Sequence, residues 1–247
     1  MDLYQFPISH FCEKARWALD YKGIPWRARN LLPGPHLRTT RRLARDSSVP
    51  LLVDGERVIQ GSSAIIDYLE QQRPEPALTP RTGNLASLAR EWEIFLDQEI
   101  GIHLRRYFFH YWLAEPELLR PLLLQGASGP GVLLYRLGFS QVRRLMRSSM
   151  NITPETAELS RQRVLAALRR LDAVVARQPF VVAGGFSRAD LTAAALLGPL
   201  CRAEGYGIVW PQRLPAVLAE FHEAQARRPF YAWVTGLYRD YRHPTRT

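Results

Sequence analysis

The chain has 247 residues, of which 47% are hydrophobic and 23% are charged. This ordinary globular composition excludes disordered, fibrous and collagen-like proteins, and the length suffices for one large domain or two smaller ones. Two cysteines, Cys12 and Cys201, cannot provide a disulfide scaffold. The net charge is +10, but the arginines are scattered in pairs, which is not the pattern of a nucleic-acid-binding protein.

The amino-terminal residues do not have the pattern of a signal peptide, because Asp2 is acidic and Pro7 and His10 interrupt any apolar stretch. No apolar run in the sequence approaches the roughly 20 residues that a membrane-spanning helix requires. We therefore predict a cytoplasmic protein that has no transmembrane segment and binds no nucleic acid.

Residues 1–76 alternate short strands with helices in the order β-α-β-α-β-β-α. The predicted ranges are 3–6, 11–22, 26–32, 37–44, 49–53, 57–59 and 62–71. Asp54-Gly55 favours a hairpin turn between the last two strands. The first strand, its crossover helix and a parallel second strand require a right-handed connection, and the hairpin adds an antiparallel edge. This order predicts a thioredoxin-like α/β domain.

A proline-rich linker at 77–84 separates this domain from an all-helical domain predicted over 85–247. Helical spacing predicts a long helix over 85–112 and others over 116–124, 131–147, 154–177, 187–203, 213–226 and 230–241. Segment 131–147 is interpreted as a packed helix with an arginine-rich solvent face; a helix lying on an anionic membrane is the alternative. Ser187 and Asp190 form a capping motif, which predicts a buried, hydrogen-bonded Asp190 with a structural role.

Four segments carry a resemblance to a known family. They are LYQFPISHFCEKARWALDYKGIPWRARNLL at 3–32, VPLLVDG at 49–55, GSSAIIDYLE at 61–70 and FVVAGGFSRADLTAAALLGPL at 180–200. The first three resemble the amino-terminal domain of soluble, serine-type glutathione transferases, and the fourth resembles the signature in the core of their helical domain. The resemblance implies a homodimer that uses glutathione to attack a small hydrophobic electrophile or a peroxide.

Ser9 stands where the first helix begins. A serine at this position is a good N-cap, which is a sufficient structural reason for it, but the amino end of a helix also suits a thiolate. Lowering the pKa of a thiol from about 8.5 by two units requires about 2.7 kcal/mol, and one hydrogen bond to a charged acceptor contributes about 1.5–3 kcal/mol. The resemblance implies that Ser9 donates this bond to the glutathione thiolate.

Cys12 is the alternative catalytic residue. A cysteine in the first helical turn can have a depressed pKa and form mixed disulfides with glutathione, which would make the protein a thiol oxidoreductase. The alternative is that Cys12 points into the core as a small apolar residue.

The resemblance also assigns residues to glutathione binding. These predicted residues are His36, Val49, Pro50, Ser62 and Ser63. In the family a cis proline turns the preceding main chain toward the cysteinyl backbone, and the start of the third helix suits the γ-glutamyl carboxylate. Gly61 stands where the family has an acidic residue or glutamine, so a non-catalytic binding or adaptor protein remains a third interpretation.

An aromatic run at 107–112 supplies candidates for the pocket of the second substrate. Helical spacing places Tyr107, His110 and Tyr111 on one face and Phe108 and Trp112 on another. In the family this helix faces the thiol, although such aromatics can equally be core residues. The predicted pocket residues are Phe11, Tyr107, His110 and Tyr111. His103 and His110 cannot form a metal site without further ligands, and we predict no metal.

Overall fold

The computed structural model describes residues 1–127 and 131–243. Four strands form one mixed sheet in the order β2-β1-β3-β4. The strands are β1 (Asp2–Gln5), β2 (Arg27–Asn30), β3 (Leu51–Asp54) and β4 (Arg57–Gln60). β1 is parallel to β2 and antiparallel to β3, and β3 pairs with β4 as a hairpin. The predicted thioredoxin-like arrangement is therefore confirmed.

Helices complete this unit and make up most of the described residues that follow it. The first three are α1 (His10–Tyr21), α2 (His36–Leu43) and α3 (Ser62–Gln72). Those that follow are α4 (Gly83–Leu96), α5 (Ile102–Trp112), α6 (Pro116–Leu123), α7 (Gly131–Leu137), α8 (Phe139–Ser149), α9 (Pro154–Val175), α10 (Arg188–Cys201), α11 (Ala216–Ala226) and α12 (Pro229–Tyr241). Residues 128–130 and 244–247 of the predicted helical domain lie outside the described residues.

The prediction of a single helix over 131–147 is wrong, because α7 and α8 are separate and meet at Gly138. Glycine has little helix propensity, which explains a break at this position. Among the helices of the described ranges, none combines the length and the apolar character that crossing a membrane requires.

The long helix predicted over 85–112 contains an irregular turn. Asp97–Gly101 forms a π-helical segment between α4 and α5. At Gly101 an added Cβ would lie 2.5 Å from Cζ of Phe11, so glycine lets the Phe11 ring approach the helix. The π turn therefore lies directly against the first turns of α1.

Helix α10 forms the centre of the helical core, where nearly all of its side chains are buried. The Asp190 carboxylate accepts hydrogen bonds from the backbone N–H of Val181 at 2.6 Å and of Ser187 at 2.9 Å. The Ser187 hydroxyl in turn accepts from the Ala189 N–H at 3.3 Å. The predicted capping motif and the structural role of Asp190 are confirmed.

Buried ion pairs join α1 to the helices of the second half. Lys14 Nζ lies 2.8 Å from a carboxylate oxygen of Glu93 and 2.8 Å from one of Asp97. Arg242, which follows α12, pairs with Glu13 at 2.8 Å. Because Lys14, Glu93, Glu13 and Arg242 are buried, removing one partner is costly, and the pairs hold the two halves in a defined arrangement.

Candidate functional site

A cavity of about 330 Å³ lies between the sheet unit and the helical residues. This volume is at the lower end of the range for small-molecule sites. Three of the predicted site residues line it: Ser9, His36 and Val49. Its opposite wall consists mostly of apolar side chains from α5, α6, α8, α10 and α11.

The sheet explains why distant segments meet here. The register places the end of β1, the start of β3 and the end of β4 at one edge. Ser9 follows β1, Val49 precedes β3 and Ser62 follows β4. The Gly61 N–H also donates to the Pro50 carbonyl at 3.0 Å, which holds the start of α3 beside the Val49–Pro50 peptide.

Ser9 is the N-cap of α1. Its Oγ accepts a hydrogen bond from the Cys12 N–H at 3.3 Å, which satisfies one of the unpaired donors of the first turn. A hydroxyl that accepts a bond still has a proton to donate. Since Ser9 lies on the cavity wall, this proton can reach an anionic acceptor inside the cavity.

Cys12 lies on the other side of the same turn. Its side chain is fully buried and does not line the cavity. Burial raises the pKa of the Cys12 thiol, and a hydrogen bond with Ser9 offsets this only in part. The thiol is therefore a neutral group in the core, which is the environment of a structural cysteine.

His36 lines the sheet side of the cavity, and Pro50 follows the lining residue Val49 without lining the cavity itself. His36 Nδ1 accepts the Gly34 N–H at 3.0 Å, and its ring packs edge-on against Phe6 with centroids 4.9 Å apart. Burial lowers the pKa of His36, so the imidazole is neutral near pH 7. The Val49–Pro50 peptide is cis and Pro50 is buried.

Ser62 and Ser63 do not line the cavity. Ser62 is buried at the start of α3. The Ser63 hydroxyl lies 2.9 Å from Lys14 Nζ and donates to Asp97 at 3.0 Å, so it is committed to the buried ion cluster. Gly61 has a φ of 95°, a conformation that favours glycine over residues with a side chain.

The aromatic face predicted for the pocket does not line this cavity. Tyr107 is 2% exposed, and its ring packs against Tyr111 and Phe221. The opposite face of α5 turns toward the cavity instead, with Leu104, Phe108, Phe109 and Trp112. Phe11 contacts α5 outside the lining, beneath the Arg105 guanidinium, whose carbon is 5.9 Å from the ring centroid.

Several polar residues of the lining were not predicted from the sequence, among them His10 and Arg105. Burial and the nearby Arg105 lower the pKa of His10 to about 3, and its buried Nε2 has no hydrogen-bond partner among the described residues. Arg105 Nε is likewise buried and without a partner there. Helical spacing places Arg105 on the face of α5 that carries Phe108 and Trp112, but spacing alone does not show that this face lines a cavity.

The cavity lining offers several groups that can bind a ligand. Within residues 1–127 and 131–243, no group of three or more His, Cys, Asp or Glu residues is arranged to hold a metal ion. The site combines a hydroxyl at a helix N-terminus, the segment at Val49, the arginines Arg105 and Arg202, and an apolar wall. This arrangement can bind an extended polar ligand on one side and an apolar one on the other.

Comparisons with known proteins agree with this architecture. Residues 3–77 match the family model described as glutathione S-transferase, N-terminal domain. Glutathione S-transferase Z1 of Arabidopsis thaliana is 38% identical over 84 residues, which are 33% of this chain and 38% of that protein. Maleylpyruvate isomerase of Ralstonia sp is 40% identical over 83 residues, 32% of this chain and 39% of that protein. The matched stretch thus spans well under half of these relatives.

Solved structures match over nearly the whole chain. Beta-etherase LigF from Sphingobium sp. strain SYK-6 has a TM-score of 0.62 at 20% identity, covering 95% of this chain and 98% of that one. A glutathione S-transferase from Xanthobacter autotrophicus Py2 has a TM-score of 0.64 at 18% identity, covering 96% and 92%. At these identities the likeness establishes the fold of both halves.

Proposed function

We propose that the chain is a soluble glutathione S-transferase, as the match of its N-terminal residues and its fold support, and that it activates glutathione for attack on a small apolar electrophile. The thiolate sulfur forms a bond to the electrophilic carbon as the bond to the leaving group breaks, and the leaving group keeps that electron pair. The thiol proton passes to solvent. The observation that carries the proposal is the Ser9 hydroxyl, which caps α1 and lines the cavity.

The energetics of thiol activation favour Ser9. Moving the pKa of a thiol from about 8.5 to about 6.5 requires about 2.7 kcal/mol in favour of the thiolate. A hydroxyl donor contributes about 1.5–3 kcal/mol to a charged acceptor, and the amino end of α1 adds about 0.3–1 kcal/mol. Ser9 and the helix terminus together are therefore sufficient. The buried Cys12, whose thiol is kept neutral by burial, is the weaker candidate.

For glutathione, we propose that the backbone at Val49 pairs with the cysteinyl residue and that the N-terminal amides of α3, with Ser62, receive the γ-glutamyl carboxylate. Gly61 has no side chain, so this position supplies neither a side-chain carboxylate nor a side-chain amide. Gln60 does not replace it, because its side-chain amide donates to the carbonyls of Asp46 and Ser48 at 2.9 Å each. We therefore expect glutathione binding to depend on backbone donors.

The decisive experiment compares Ser9→Ala with Cys12→Ala. The pKa of bound glutathione is measured from thiolate ultraviolet absorbance as a function of pH, alongside turnover of an aryl halide. We expect Ser9→Ala to raise the pKa by one to two units and to reduce turnover about 10- to 100-fold. Cys12→Ala is expected to keep both values. Unchanged activity in Ser9→Ala with lost activity in Cys12→Ala would replace the proposal by thiol oxidoreductase chemistry.

Two alternative functions predict different results when glutathione binding and glutathione consumption are measured. If the wild-type protein neither binds glutathione nor is retained on immobilised glutathione, a non-catalytic binding role is favoured. Similarity to maleylpyruvate isomerase of Ralstonia sp supports glutathione-dependent isomerisation as a second candidate. In that case the sulfur adds and is released again, so glutathione is not consumed. Following glutathione consumption against product formation distinguishes transfer from isomerisation.

The family resemblance also leads us to propose a homodimer. Exposed apolar side chains on α4 and β4 are compatible with a partner surface: Leu88 is 38% exposed, Ile94 54% and Val58 38%. Sedimentation velocity at micromolar concentration tests this, and a single species at 28.3 kDa would contradict it.

A further inference from the structure

One arginine of the cavity lining, Arg105, forms no ion pair within residues 1–127 and 131–243. Arg105 extends from α5 into the lining, and its buried Nε has no hydrogen-bond partner among the described residues. Burial and the positive charge of the neighbouring Arg106 both lower the pKa of Arg105. A buried charge without a partner costs stability, so a compensating anion is expected in the functional state.

His10 does not supply or cancel this charge. Its pKa of about 3 keeps the imidazole neutral near pH 7. His10 Nε2 and Arg105 Nε, neither of which has a hydrogen-bond partner among the residues that the structure describes, both belong to residues of the cavity wall. Arg202, His222 and Ser149 also line the cavity, and Arg202 Nη2 donates to the Pro211 carbonyl at 2.8 Å. Of the two lining arginines, Arg105 is the one whose buried Nε has no hydrogen-bond partner in the described part of the chain.

The position of Arg105 assigns the anion to the second substrate. Glutathione is expected to lie along Ser9, Val49 and the start of α3, on the sheet side. Arg105 lies on the helical side, between Leu104 and Phe108 of the lining. A planar guanidinium binds a carboxylate with two parallel hydrogen bonds, whereas the surrounding wall requires an apolar body.

We propose, resting on the proposed function, that the second substrate is an apolar molecule that carries a carboxylate, and that Arg105 binds this carboxylate. Arg105 is thus a specificity-determining residue. It selects acidic acceptors over neutral ones of the same shape.

The test uses phenylbutyrate and the neutral phenylbutanol as matched probes, with binding measured by calorimetry on the full chain without glutathione. We expect the wild-type protein to prefer the acid. Arg105→Gln is expected to weaken phenylbutyrate binding about 10- to 100-fold and to change phenylbutanol binding by less than about threefold. Arg105→Lys keeps the charge but loses the paired geometry, so an intermediate loss is expected.

Arg144→Gln is the control. Arg144 is an exposed residue of α8 outside the lining, so its removal changes the net charge equally but leaves the cavity unaltered. Its binding constants should match those of the wild type. Three results would each overturn the proposal. In the first, Arg105→Gln weakens the binding of phenylbutyrate and of phenylbutanol equally. In the second, Arg105→Gln and Arg144→Gln weaken phenylbutyrate binding equally, and in the third the wild type does not prefer phenylbutyrate.

Kinetics separate this inference from the proposed function. In Arg105→Gln, KM for a carboxylate-bearing acceptor should rise while KM for glutathione and the pKa of its thiol stay constant. A raised KM for glutathione or a raised thiol pKa would mean that Arg105 serves the tripeptide, which overturns the inference. If Ser9→Ala keeps full turnover while phenylbutyrate binding still depends on Arg105, the thiol-activation proposal fails and the carboxylate site stands.

Discussion

Replacing Asp190 by alanine tests how the core of the helical half is built. The substitution removes the acceptor of two buried backbone N–H groups, those of Val181 and Ser187, and of the Ser187 hydroxyl. Asp190 is fully buried, and both residues that donate to it are at most 2% exposed. Water therefore cannot take over these bonds without opening the start of α10.

The magnitude follows from the unsatisfied donors. Each buried donor left without an acceptor costs about 1–3 kcal/mol, so the two amides give about 2–6 kcal/mol. This is a large part of a total stability of about 5–15 kcal/mol. Ser187→Ala, which keeps the carboxylate, loses a capping hydroxyl and is expected to cost about 1 kcal/mol.

The cost should also depend on pH, with a definite sign. Burial raises the pKa of Asp190 to about 6 from 3.8, against the lowering effect of its three hydrogen bonds. The folded state therefore binds more protons than the unfolded state between these values, and the contribution of Asp190 to stability falls as pH rises through the window. At about pH 5 this contribution exceeds that at about pH 7.5 by about 1.4 kcal/mol.

Urea unfolding followed by tryptophan fluorescence at about pH 5 and pH 7.5 measures the effect. The difference between wild type and Asp190→Ala is taken at each pH, so that the other titrating groups cancel. We expect a larger difference at the lower pH. A smaller difference at the lower pH would mean that the hydrogen bonds outweigh burial and that the carboxylate is stabilised in its ionised form, which would refute the reasoning.

Two further substitutions test the packing of α1. Arg242→Ala removes the buried partner of Glu13 at 2.8 Å and is expected to cost about 3–5 kcal/mol in urea unfolding, whereas Arg239→Ala, at an exposed pair, should leave the midpoint unchanged. Gly101→Ala places a Cβ 2.5 Å from Phe11 and should cost about 1–3 kcal/mol by overpacking; a thermal midpoint equal to that of the wild type would contradict this.

The strands and helices follow from local signals, and these could be read from the sequence. Alternation and the Asp54-Gly55 turn locate the hairpin, and the Ser187 cap with Asp190 locates the start of α10. The break at Gly138 was missed because one glycine in an amphipathic segment is often tolerated. In this segment two short helices replace one longer helix.

Only the part of the site that lies next to the ends of the strands could be predicted from the sequence. Ser9 and Val49 lie where the order of strands places them, because the register of the sheet brings their segments to one edge. The orientation of α5 depends instead on Phe221, which is more than a hundred residues away and packs against Tyr107 with ring centroids 5.0 Å apart. Spacing within α5 defines its faces but does not say which of them a distant helix covers.

Arg105 and Arg106 show why the charge in the cavity could not be found from the sequence. Successive residues of a helix point about 100° apart, so the two arginines have different surroundings although their chemistry is the same. Arg106 Nε donates to the Met150 carbonyl at 2.9 Å, whereas Arg105 Nε has no such partner in the described part of the chain. The tertiary structure determines which of the two arginines can donate a hydrogen bond to a backbone carbonyl. A guanidinium on a cavity wall with no counter-ion lowers the stability of the ligand-free protein. Under the proposal, binding of an anionic ligand offsets this loss of stability.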